Sequence, residues 1–395
     1  MLHYRKMGSL DWKVSALGLG SMRLPARRIN KLRAKTEESI ELIRYAIDKG
    51  INYIDTAWPY HLGDSEKIIG EALKDGYREK VYLVTKLPMF MVRNSNHFNK
   101  YLKTQMKRLQ TDYLDSYLFH AVNAGNFQKI KNLNLIKKME KAKEDGIIRT
   151  IGFSFHDTLP IFKEIIDYYP WDISQIQYNY VDTNVQATTE GLQYAHKKEI
   201  AVVIMEPLKG GALANPQEEI LGLLKSSKIE RTPVDLALQF LWNKPEVSVV
   251  LSGMNSKRMI EENCRSADNS GINSLTSKEE KLIHQLSVLY REKQVIPCTA
   301  CNYCMPCPEG VNIPQNFACL NNVYLETSRF RRFLSRRAYR KLADSRTEVD
   351  LNNPNGNAKL CTKCGNCVPK CPQEIDIPNE LENVKKVMEK RFSFF

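Results

Sequence analysis

Short apolar runs alternate with amphipathic segments through the first 290 residues, and this alternation most constrains the fold. The amphipathic segments, such as ESIELIRYAIDKG and LIKKMEKAKEDG, end on glycine as helices do. The eight apolar runs are VSALGLG, NYIDTA, VYLVTK, YLDSYLFH, IIRTIGFS, ISQIQYN, AVVIME and VSVVLSG. Eight strand–helix units over about 260 residues predict an α/β protein with a (β/α)8 TIM barrel, whose strands are short and buried on both faces.

A doubly wound parallel sheet is the alternative interpretation of the same alternation. A dinucleotide-binding sheet of that kind carries G-x-G-x-x-G directly after its first strand. Residues 17–22 read LGLGSM at this place, which is not that fingerprint. The barrel is therefore the favoured fold.

Nine of the ten cysteines lie after residue 297, and eight of them form two tight groups. CTACNYCMPCP spaces its four thiols evenly, whereas CTKCGNCVPKCP has one more residue before its fourth. The second group matches the bacterial ferredoxin run, in which three cysteines bind one cluster and the fourth reaches the other. We therefore predict two 4Fe-4S clusters. The eight ligands are Cys298, Cys301, Cys304, Cys307, Cys361, Cys364, Cys367 and Cys371.

Each cluster is expected to take three thiols from one group and one from the other. The first three cysteines would pair with Cys371, and the three that begin at Cys361 would pair with Cys307. Zinc is the alternative to an iron–sulfur cluster, but structural zinc usually binds two Cys-x-x-Cys motifs with a longer spacer between them. The two remaining thiols, Cys264 and Cys319, are expected to be buried in the core.

Composition and charge narrow the class of protein. The formal charge is +13, yet no nucleic-acid-binding motif or aromatic–basic platform is visible, so we expect no nucleic-acid partner. No run reaches the roughly 18 apolar residues of a membrane span, and the N-terminus has no apolar core of signal-peptide length. We therefore expect a cytoplasmic protein with no membrane partner.

Four titratable side chains occupy consecutive strand–helix units. Asp55 ends the second predicted strand and Tyr60 lies five residues on, while Lys86 and His120 end the third and fourth strands. A barrel brings these strand ends together at its catalytic rim. Each side chain has a structural alternative: a turn cap, a packing aromatic, a solvated strand end and a buried histidine. Four such side chains in register on one rim favour a catalytic site.

The four side chains also make chemical sense as a set. A tyrosine hydroxyl has a pKa of about 10 and is a poor acid at neutral pH, but a nearby lysine ammonium lowers that pKa. An aspartate would hold the lysine charged and in place, and a histidine would orient a carbonyl oxygen. The set is matched to hydride addition at a carbonyl group.

The segments GINYIDTAWPYHLGDSEKIIGEAL, VYLVTKL and YLDSYLFH resemble the aldo-keto reductase superfamily. The resemblance covers residues 1–290 and implies an NAD(P)-dependent oxidoreductase that acts on a small carbonyl or alcohol substrate. It implies that Tyr60 is the general acid/base, that Lys86 and Asp55 tune it, and that His120 orients the carbonyl. Residues 291–395 resemble the mainly α-helical ferredoxin-like domain that is fused to one branch of that superfamily.

The same resemblance implies a set of cofactor contacts. In GFSFH the asparagine usual in the family is replaced by Phe155, and in VVIMEP the usual tyrosine is replaced by Met205. The implied contacts are Ser21, Met22, Ser154, Gln177, Met205, Pro207, Leu208, Gly253, Met254, Met259 and Asn263.

The preferred nicotinamide cofactor depends on the segment LSGMNSKRMIEENC. Two positions that often carry basic residues for a 2′-phosphate are Gly253 and Met259 here. Lys257 and Arg258 lie beside them and can take their place. We expect NADP, with NAD as the alternative.

The segment RFRRFLSRRAYRK, residues 329–341, carries six arginines and one lysine between the cysteine groups. As a helix it would be basic almost all round. It is either a solvated face or a dock for an acidic electron carrier such as ferredoxin or flavodoxin. Two functions follow: an oxidoreductase whose clusters exchange electrons with a partner, or a nicotinamide-binding redox sensor or regulatory protein with structural clusters.

Overall fold

A computed structural model describes residues 2–26, 33–293, 295–325, 329–345, 349 and 354–389, apart from the side chains of residues 293, 325 and 329–331. The strands are β1 (Tyr4–Met7), β2 (Leu10–Ser15), β3 (Leu17–Gly20), β4 (Tyr53–Asp55), β5 (Tyr82–Leu87), β6 (Leu114–Val122), β7 (Ile148–Phe155), β8 (Ile173–Gln177), β9 (Ala201–Met205) and β10 (Val247–Ser252). The helices of the first 270 residues are α1 (Thr36–Asp48), α2 (Asp64–Ala72), α3 (Asn96–Leu109), α4 (Ala124–Asn132), α5 (Leu135–Glu144), α6 (Leu159–Tyr168), α7 (Thr188–Lys197), α8 (Glu218–Ser226), α9 (Pro233–Trp242) and α10 (Lys257–Asp268). The later helices are α11 (Ser277–Lys293), α12 (Ile313–Leu325), α13 (Arg329–Arg340) and α14 (Ile377–Glu389).

Strands β3 to β10 close into an all-parallel barrel in the order β10-β3-β4-β5-β6-β7-β8-β9. The predicted (β/α)8 barrel is therefore confirmed. One boundary was wrong: the run VSALGLG is divided at Ala16, between the end of β2 and the start of β3. Its first two residues, Val14 and Ser15, thus belong to a hairpin that precedes the barrel.

The antiparallel hairpin β1–β2 was missed by the sequence analysis. Its Met7 and Val14 are fully buried and join the residues that fill the barrel interior, among them Tyr53, Val84 and Leu118. Strand β1 (YRKM) holds two consecutive basic residues, and β2 (LDWKVS) alternates apolar with polar ones, so neither carries the apolar signal of a barrel strand.

Strand alternation explains why the predicted catalytic side chains point inward. Tyr53, Val84 and Leu118 belong to the cluster that fills the barrel interior. Asp55, Lys86 and His120 lie two residues further along the same strands. Because side chains in a strand alternate between faces with a period of two, each of these polar residues lies on the inward face, nearer the carboxyl end.

The structure contains two compact units. One consists of residues Met1–Leu208 and Arg231–Glu280, and the other of Lys209–Glu230 and Lys281–Phe395. The loop after β9 and helix α8 thus belong with the cysteine-rich segment. The Tyr290 hydroxyl of that segment donates a hydrogen bond to the Ala212 carbonyl of the loop at 3.3 Å. The division into domains at residues 290 and 291 stays a prediction, distinct from these units.

The cysteine-rich unit has its own apolar core. Residues of α12 and α14 supply much of it, including Phe317, Leu320, Leu381 and Val384, all 1% exposed or less. Cys319 is buried there, and Cys264 is buried in the barrel unit, where burial raises the pKa of its thiol to about 11. Both thiols lie in apolar cores, as predicted.

Helix α13 is less uniformly basic than the sequence predicts. Tyr339 is buried in the apolar core of the unit and Arg336 is half-buried, so one face of the helix packs inward. Arg332, Arg337 and Arg340 are exposed. The side chains of residues 329–331, which complete the predicted basic surface, lie outside the described residues. Among the helices in the described part of the chain, none is both long and apolar enough to span a membrane.

Candidate functional site

A buried ion pair joins the ends of the adjacent strands β4 and β5. Lys86 Nζ donates to both carboxylate oxygens of Asp55, at 2.7 and 2.6 Å, and to the Thr56 carbonyl at 2.8 Å. Lys86 is 1% exposed and Asp55 is 2% exposed. Three acceptors around one ammonium fix its position and offset part of the cost of removing two charges from water.

Tyr60 lies beside this ion pair on the turn that follows β4. The Lys86 ammonium is 5.3 Å from the centroid of the Tyr60 ring, and the His120 ring meets the Tyr60 ring edge to face at 6.1 Å. The structure therefore brings together all four residues of the predicted catalytic set. Tyr60 and His120 are both buried, and electrostatic interactions are stronger at such sites than in bulk water.

Burial dominates the protonation of the ionisable groups around Tyr60. Burial lowers the pKa of Lys86 and raises the pKa of Asp55, and the attraction between the two opposes both shifts. Burial, followed by the charge of Lys86, holds the pKa of His120 well below its usual range. His120 is therefore neutral at physiological pH, so one ring nitrogen is a donor and the other an acceptor.

His156, directly after β7, is a second histidine near the site; it is half-buried, and the sequence analysis did not select it. Burial lowers the pKa of His156 to about 4, and its charge would lower the pKa of His120. Its Nδ1 lies 3.2 Å from Gln186 Oε1. The only available signal was its place directly after the GFSF strand, which does not distinguish a site residue from a core residue.

Three of the predicted cofactor contacts lie on buried polar networks at strand ends. Ser21 accepts a hydrogen bond from Ser65 at 2.8 Å, and Ser154 accepts one from the backbone N–H of Ala121, next to His120, at 2.8 Å. Gln177 Nε2 donates to Asp182 at 3.3 Å, and Gln186 donates to Gln177 Oε1 at 3.4 Å. Asp182 and Gln186 were not selected from the sequence because their roles depend on these contacts.

The aromatic residue at the family's asparagine position is part of the core. Phe155 is fully buried, and its ring lies 4.9 Å from that of Phe162. It therefore supplies no polar contact to a cofactor. Met205 is half-buried at the end of β9, with Pro207 and Leu208 directly after it, and Met22 lies in the turn after β3.

The predicted adenosine-phosphate contacts surround the start of α10. Ser256 caps this helix by accepting from the Met259 N–H at 3.4 Å, and Met259 is 37% exposed. Gly253 lies against the Arg23 side chain, since a Cβ there would be 3.0 Å from Arg23 Cβ. The exposed N–H groups of a helix start favour an anion. Arg23, which the sequence analysis did not select, adds a cation beside Gly253.

The other predicted residues around the start of α10 are either buried or contact a neighbouring side chain. Met254 is buried, and Asn263 is buried with its amide donating to Ser252 Oγ at 2.9 Å. Lys257 Nζ lies 5.4 Å from the Tyr45 ring centroid, and Arg258 lies 3.3 Å from Glu262. Both basic side chains therefore stand at the start of α10.

The eight cysteines of the two motifs fall into two sets, each drawn from both motifs. Cys298, Cys301, Cys304 and Cys371 line one cavity, with apolar residues such as Phe317 and Ile377 beside them. Cys307 and Cys364 line another cavity. Burial raises the pKa of Cys361 and of Cys367, the latter to about 11, and the charge of Cys307 adds to both shifts. These three thiols therefore share one environment. These are the positions that the pairing predicted from the spacing requires, and the binding of two clusters by them stays a prediction.

The chemistry of these sets suits an iron–sulfur cluster. None of the ten cysteines is in a disulfide, and backbone N–H groups of Gln373 and Ile375 stabilise the Cys371 thiolate. Buried thiols that raise one another's pKa are deprotonated when a cationic metal core binds. In the described residues no three His, Cys, Asp or Glu side chains stand close enough together for a single metal ion. Four thiols around a cavity instead suit a cluster.

Comparison with known proteins supports both halves of this description. Residues 16–280 match the aldo/keto reductase family, and residues 297–377 match a 4Fe-4S dicluster domain. L-galactose dehydrogenase from Arabidopsis thaliana is 28% identical over 283 residues, which cover 66% of this chain and 87% of that protein. NADH-specific methylglyoxal reductase from Escherichia coli is 27% identical over 300 residues, which cover 65% and 91%.

Solved structures show the same barrel. An aldo-keto reductase from Bacillus halodurans, in its holo form, is 26% identical and superposes with a TM-score of 0.61. The superposition covers 72% of this chain and 96% of that protein. The similarity therefore spans nearly the whole of that protein but only part of this chain.

Proposed function

Because this chain belongs to the aldo/keto reductase family and is an oxidoreductase of that type, we propose that it interconverts a small carbonyl compound and the corresponding alcohol with NADP. The observation that carries the proposal is the buried Lys86–Asp55 ion pair, whose ammonium lies 5.3 Å from the Tyr60 ring. Such an arrangement favours a tyrosine hydroxyl that exchanges its proton near neutral pH.

The four side chains have separate tasks in carbonyl reduction. The carbonyl carbon would receive its hydride from a reduced nicotinamide when that cofactor is bound. Tyr60 gives its phenolic proton to the carbonyl oxygen and takes another from solvent, and the Lys86 ammonium stabilises the phenolate formed meanwhile. Asp55 holds Lys86 in place, and neutral His120 donates a hydrogen bond that orients the carbonyl. Oxidation of the alcohol reverses each transfer.

Residues around the four side chains would hold the cofactor. Ser154 and Gln177 present amide-binding groups at the ends of β7 and β8, and the start of α10 presents N–H groups to a phosphate. Lys257, Arg258 and Arg23 would favour the additional phosphate of NADP. The printed name of the Escherichia coli relative specifies NADH, so NAD is the alternative cofactor.

The replacement Tyr60→Phe tests the proposed mechanism. It removes the transferable proton and leaves the cofactor site intact, so turnover of methylglyoxal should collapse while the Kd for NADPH stays within twofold. Turnover that persists would show that Tyr60 is not the acid. If the wild-type protein instead binds the cofactor and yet turns over none of a panel of carbonyl compounds, that result would favour the second candidate, a nicotinamide-binding regulatory protein.

The two cysteine sets would each hold one 4Fe-4S cluster, which supplies one-electron chemistry when bound. Cys298, Cys301, Cys304 and Cys371 would form one set, and Cys307, Cys361, Cys364 and Cys367 the other. Anaerobic purification should yield about eight irons per chain, because each cluster carries four. Electron paramagnetic resonance after NADPH or dithionite addition then separates clusters in electronic contact with the barrel from structural or sensory ones.

The exposed face of α13 would receive an acidic electron carrier such as ferredoxin or flavodoxin. Arg332, Arg337 and Arg340 are exposed on this helix, with Phe333 and Leu334 at 48% and 43% exposure. Burial, followed by the charges of Arg340 and Arg332, lowers the pKa of Arg336, so the arginines crowd one another. Electron transfer from the dithionite-reduced protein to flavodoxin should become slower with added salt. A rate that does not depend on salt would argue against this docking surface.

A further inference from the structure

Arg108 of α3 contacts the chain on both sides of Tyr60. Its guanidinium carbon lies 3.8 Å from the centroid of the Trp58 ring, two residues before Tyr60. Three residues after Tyr60, a Cβ on Gly63 would be 3.4 Å from both terminal nitrogens of Arg108. One side chain, distant in sequence, therefore spans the turn that presents Tyr60.

This turn has an unfavourable backbone conformation. His61, Leu62 and Gly63 follow one another in the left-handed region, with φ values of 52°, 57° and 88°. Each non-glycine residue there costs about 1 kcal/mol or more. Leu62 is 50% exposed, so burial of its side chain contributes little to holding the turn. The conformation therefore needs support from residues outside the turn.

Glu66 anchors Arg108. Arg108 Nη1 lies 3.0 Å from Glu66 Oε2, and Glu66 is fully buried. The other carboxylate oxygen accepts from Thr85 Oγ1 at 2.8 Å and from the Gln105 side chain. A buried carboxylate is stable only when it is paired and hydrogen-bonded, and these contacts supply both conditions.

The same network reaches Lys86. Gln105 Nε2, which binds Glu66, also donates to the Lys86 carbonyl at 3.1 Å, and Thr85 precedes Lys86 in β5. Burial lowers the pKa of Lys86, and the charges of Asp55 and Glu66 both oppose that shift. Glu66 is thus connected to the Tyr60 turn through Arg108 and to the lysine beside Tyr60 through β5.

We propose that Arg108 and Glu66 are positioning residues that hold the Tyr60 turn against β5 and keep Tyr60 at Lys86. The catalytic part of this inference rests on the proposed function, in which Tyr60 transfers a proton. The mechanical part, that Arg108 holds the turn, does not depend on it.

Arg108→Ala tests both parts. Hydrogen exchange at residues 56–63 should become faster, because the turn loses the contact that spans it. With methylglyoxal, kcat should fall by about 10- to 100-fold, as expected for an acid displaced by about 1 Å, while the Kd for NADPH changes less than twofold. Added guanidinium ion should restore part of kcat, and Arg108→Lys should be intermediate.

The matched control is Arg78→Ala. Arg78 pairs with buried Asp115 at 2.8 Å and lies 4.0 Å from the Tyr113 ring centroid, so it repeats the ion pair and ring contact of Arg108. Asp115 lies at the start of β6, at the other end of the barrel strands. Arg78→Ala should reduce stability without changing exchange at residues 56–63 or kcat. Equal behaviour of the two variants would overturn the positioning role.

Glu66→Gln separates the electrostatic contribution from packing. The glutamine keeps the shape but removes the charge that favours protonated Lys86, so the alkaline limb of kcat/KM should move to lower pH. An unmoved limb together with unchanged exchange at residues 56–63 would contradict the role of Glu66. A further outcome separates the two parts of the proposal: hydrogen exchange becomes faster in Arg108→Ala, but the wild-type protein turns over no carbonyl compound. The support of the turn by Arg108 would then stand, and the proposed function would be rejected.

Discussion

Gly210 lies directly against the backbone of Thr299. A Cβ on Gly210 would stand 2.0 Å from the Thr299 carbonyl oxygen and 2.7 Å from its carbonyl carbon. Both residues belong to the cysteine-rich unit, and Thr299 follows Cys298, the first thiol of the first set. The loop after β9 is therefore held on the turn that carries a predicted cluster ligand, and only glycine fits there.

Gly210→Ala should destabilise the cysteine-rich unit by about 2 kcal/mol or more, because the added methyl group cannot be accommodated by backbone atoms. Iron should be released to a chelator faster than from the wild type. Gly211→Ala is the matched control: Gly211 also has positive φ, +100°, but its added Cβ meets no atom within 4 Å. Equal iron release from the two variants would show that the Thr299 contact is not tight.

Asp55→Asn should leave the Lys86 ammonium buried without its counter-charge. Loss of one partner of a buried ion pair typically costs about 3–5 kcal/mol. The pKa of Lys86 should fall further, so the alkaline limb of kcat/KM should move to lower pH. The double variant Asp55→Asn with Lys86→Met should recover much of the stability in urea unfolding but no activity, and failure to recover any would argue against a shared charge penalty.

Stability should fall in mild acid because His120 and His156 stay neutral in the folded protein. The unfolded chain binds a proton at His156 below the ordinary histidine pKa of about 6.5, whereas the folded protein binds it only near pH 4. The free energy of unfolding should therefore decrease as pH falls from about 6.5 to 4, by about 1.4 kcal/mol per unit for each such histidine. His120 contributes with the same sign.

His156→Asn should make this pH dependence shallower by one proton. All four tryptophans, Trp12, Trp58, Trp171 and Trp242, lie in the barrel unit, so fluorescence-detected urea unfolding at several pH values reports on that unit. The slope is the quantity to compare, since the substitution also changes the Gln186 contact and hence the absolute stability. If the free energy of unfolding changes with pH by the same slope in the wild type and in His156→Asn, His156 is not neutral in the folded protein.

The double variant Lys257→Ala with Arg258→Ala should weaken NADPH binding more than NADH binding. The two cations stand at the start of α10, where the additional phosphate of NADPH is expected. A tenfold rise in the Kd for NADPH corresponds to about 1.4 kcal/mol, a typical value for one charged contact. An equal rise in the Kd values for NADPH and NADH would show that the additional phosphate binds elsewhere. Arg23 would then be the next residue to replace.

Cysteine variants should reveal the two ligand sets through non-additive iron loss. Cys298→Ala and Cys371→Ala each remove a thiol from one cavity, so the double variant should lose no more iron than either single variant. Cys298→Ala combined with Cys364→Ala should lose both clusters, because these thiols line different cavities. Cys319→Ala, at a buried thiol outside both cavities, is the control. Additive loss from Cys298 and Cys371 would reject the pairing.

Local sequence patterns were sufficient for the features that depend on neighbouring residues in the chain. Apolar runs of strand length identified the eight barrel strands, since a strand buried on both faces must be apolar along its length. The spacing of the cysteine motifs predicted the set of four thiols, Cys298, Cys301, Cys304 and Cys371, that lines one cavity. Tyr60 and Lys86 could be selected because barrel topology places strand ends on one rim.

Tertiary structure alone decided the features that depend on residues far apart in the chain. Arg108 and Glu66 are 42 positions apart, and nothing near either one shows that they meet beside Tyr60. The assignment of residues 209–230 to the cysteine-rich unit and the burial of one face of α13 likewise arise from packing. Chain-local patterns determine which groups are available, whereas the position of a charge relative to its partners, and hence its energy, is defined only when the chain has folded.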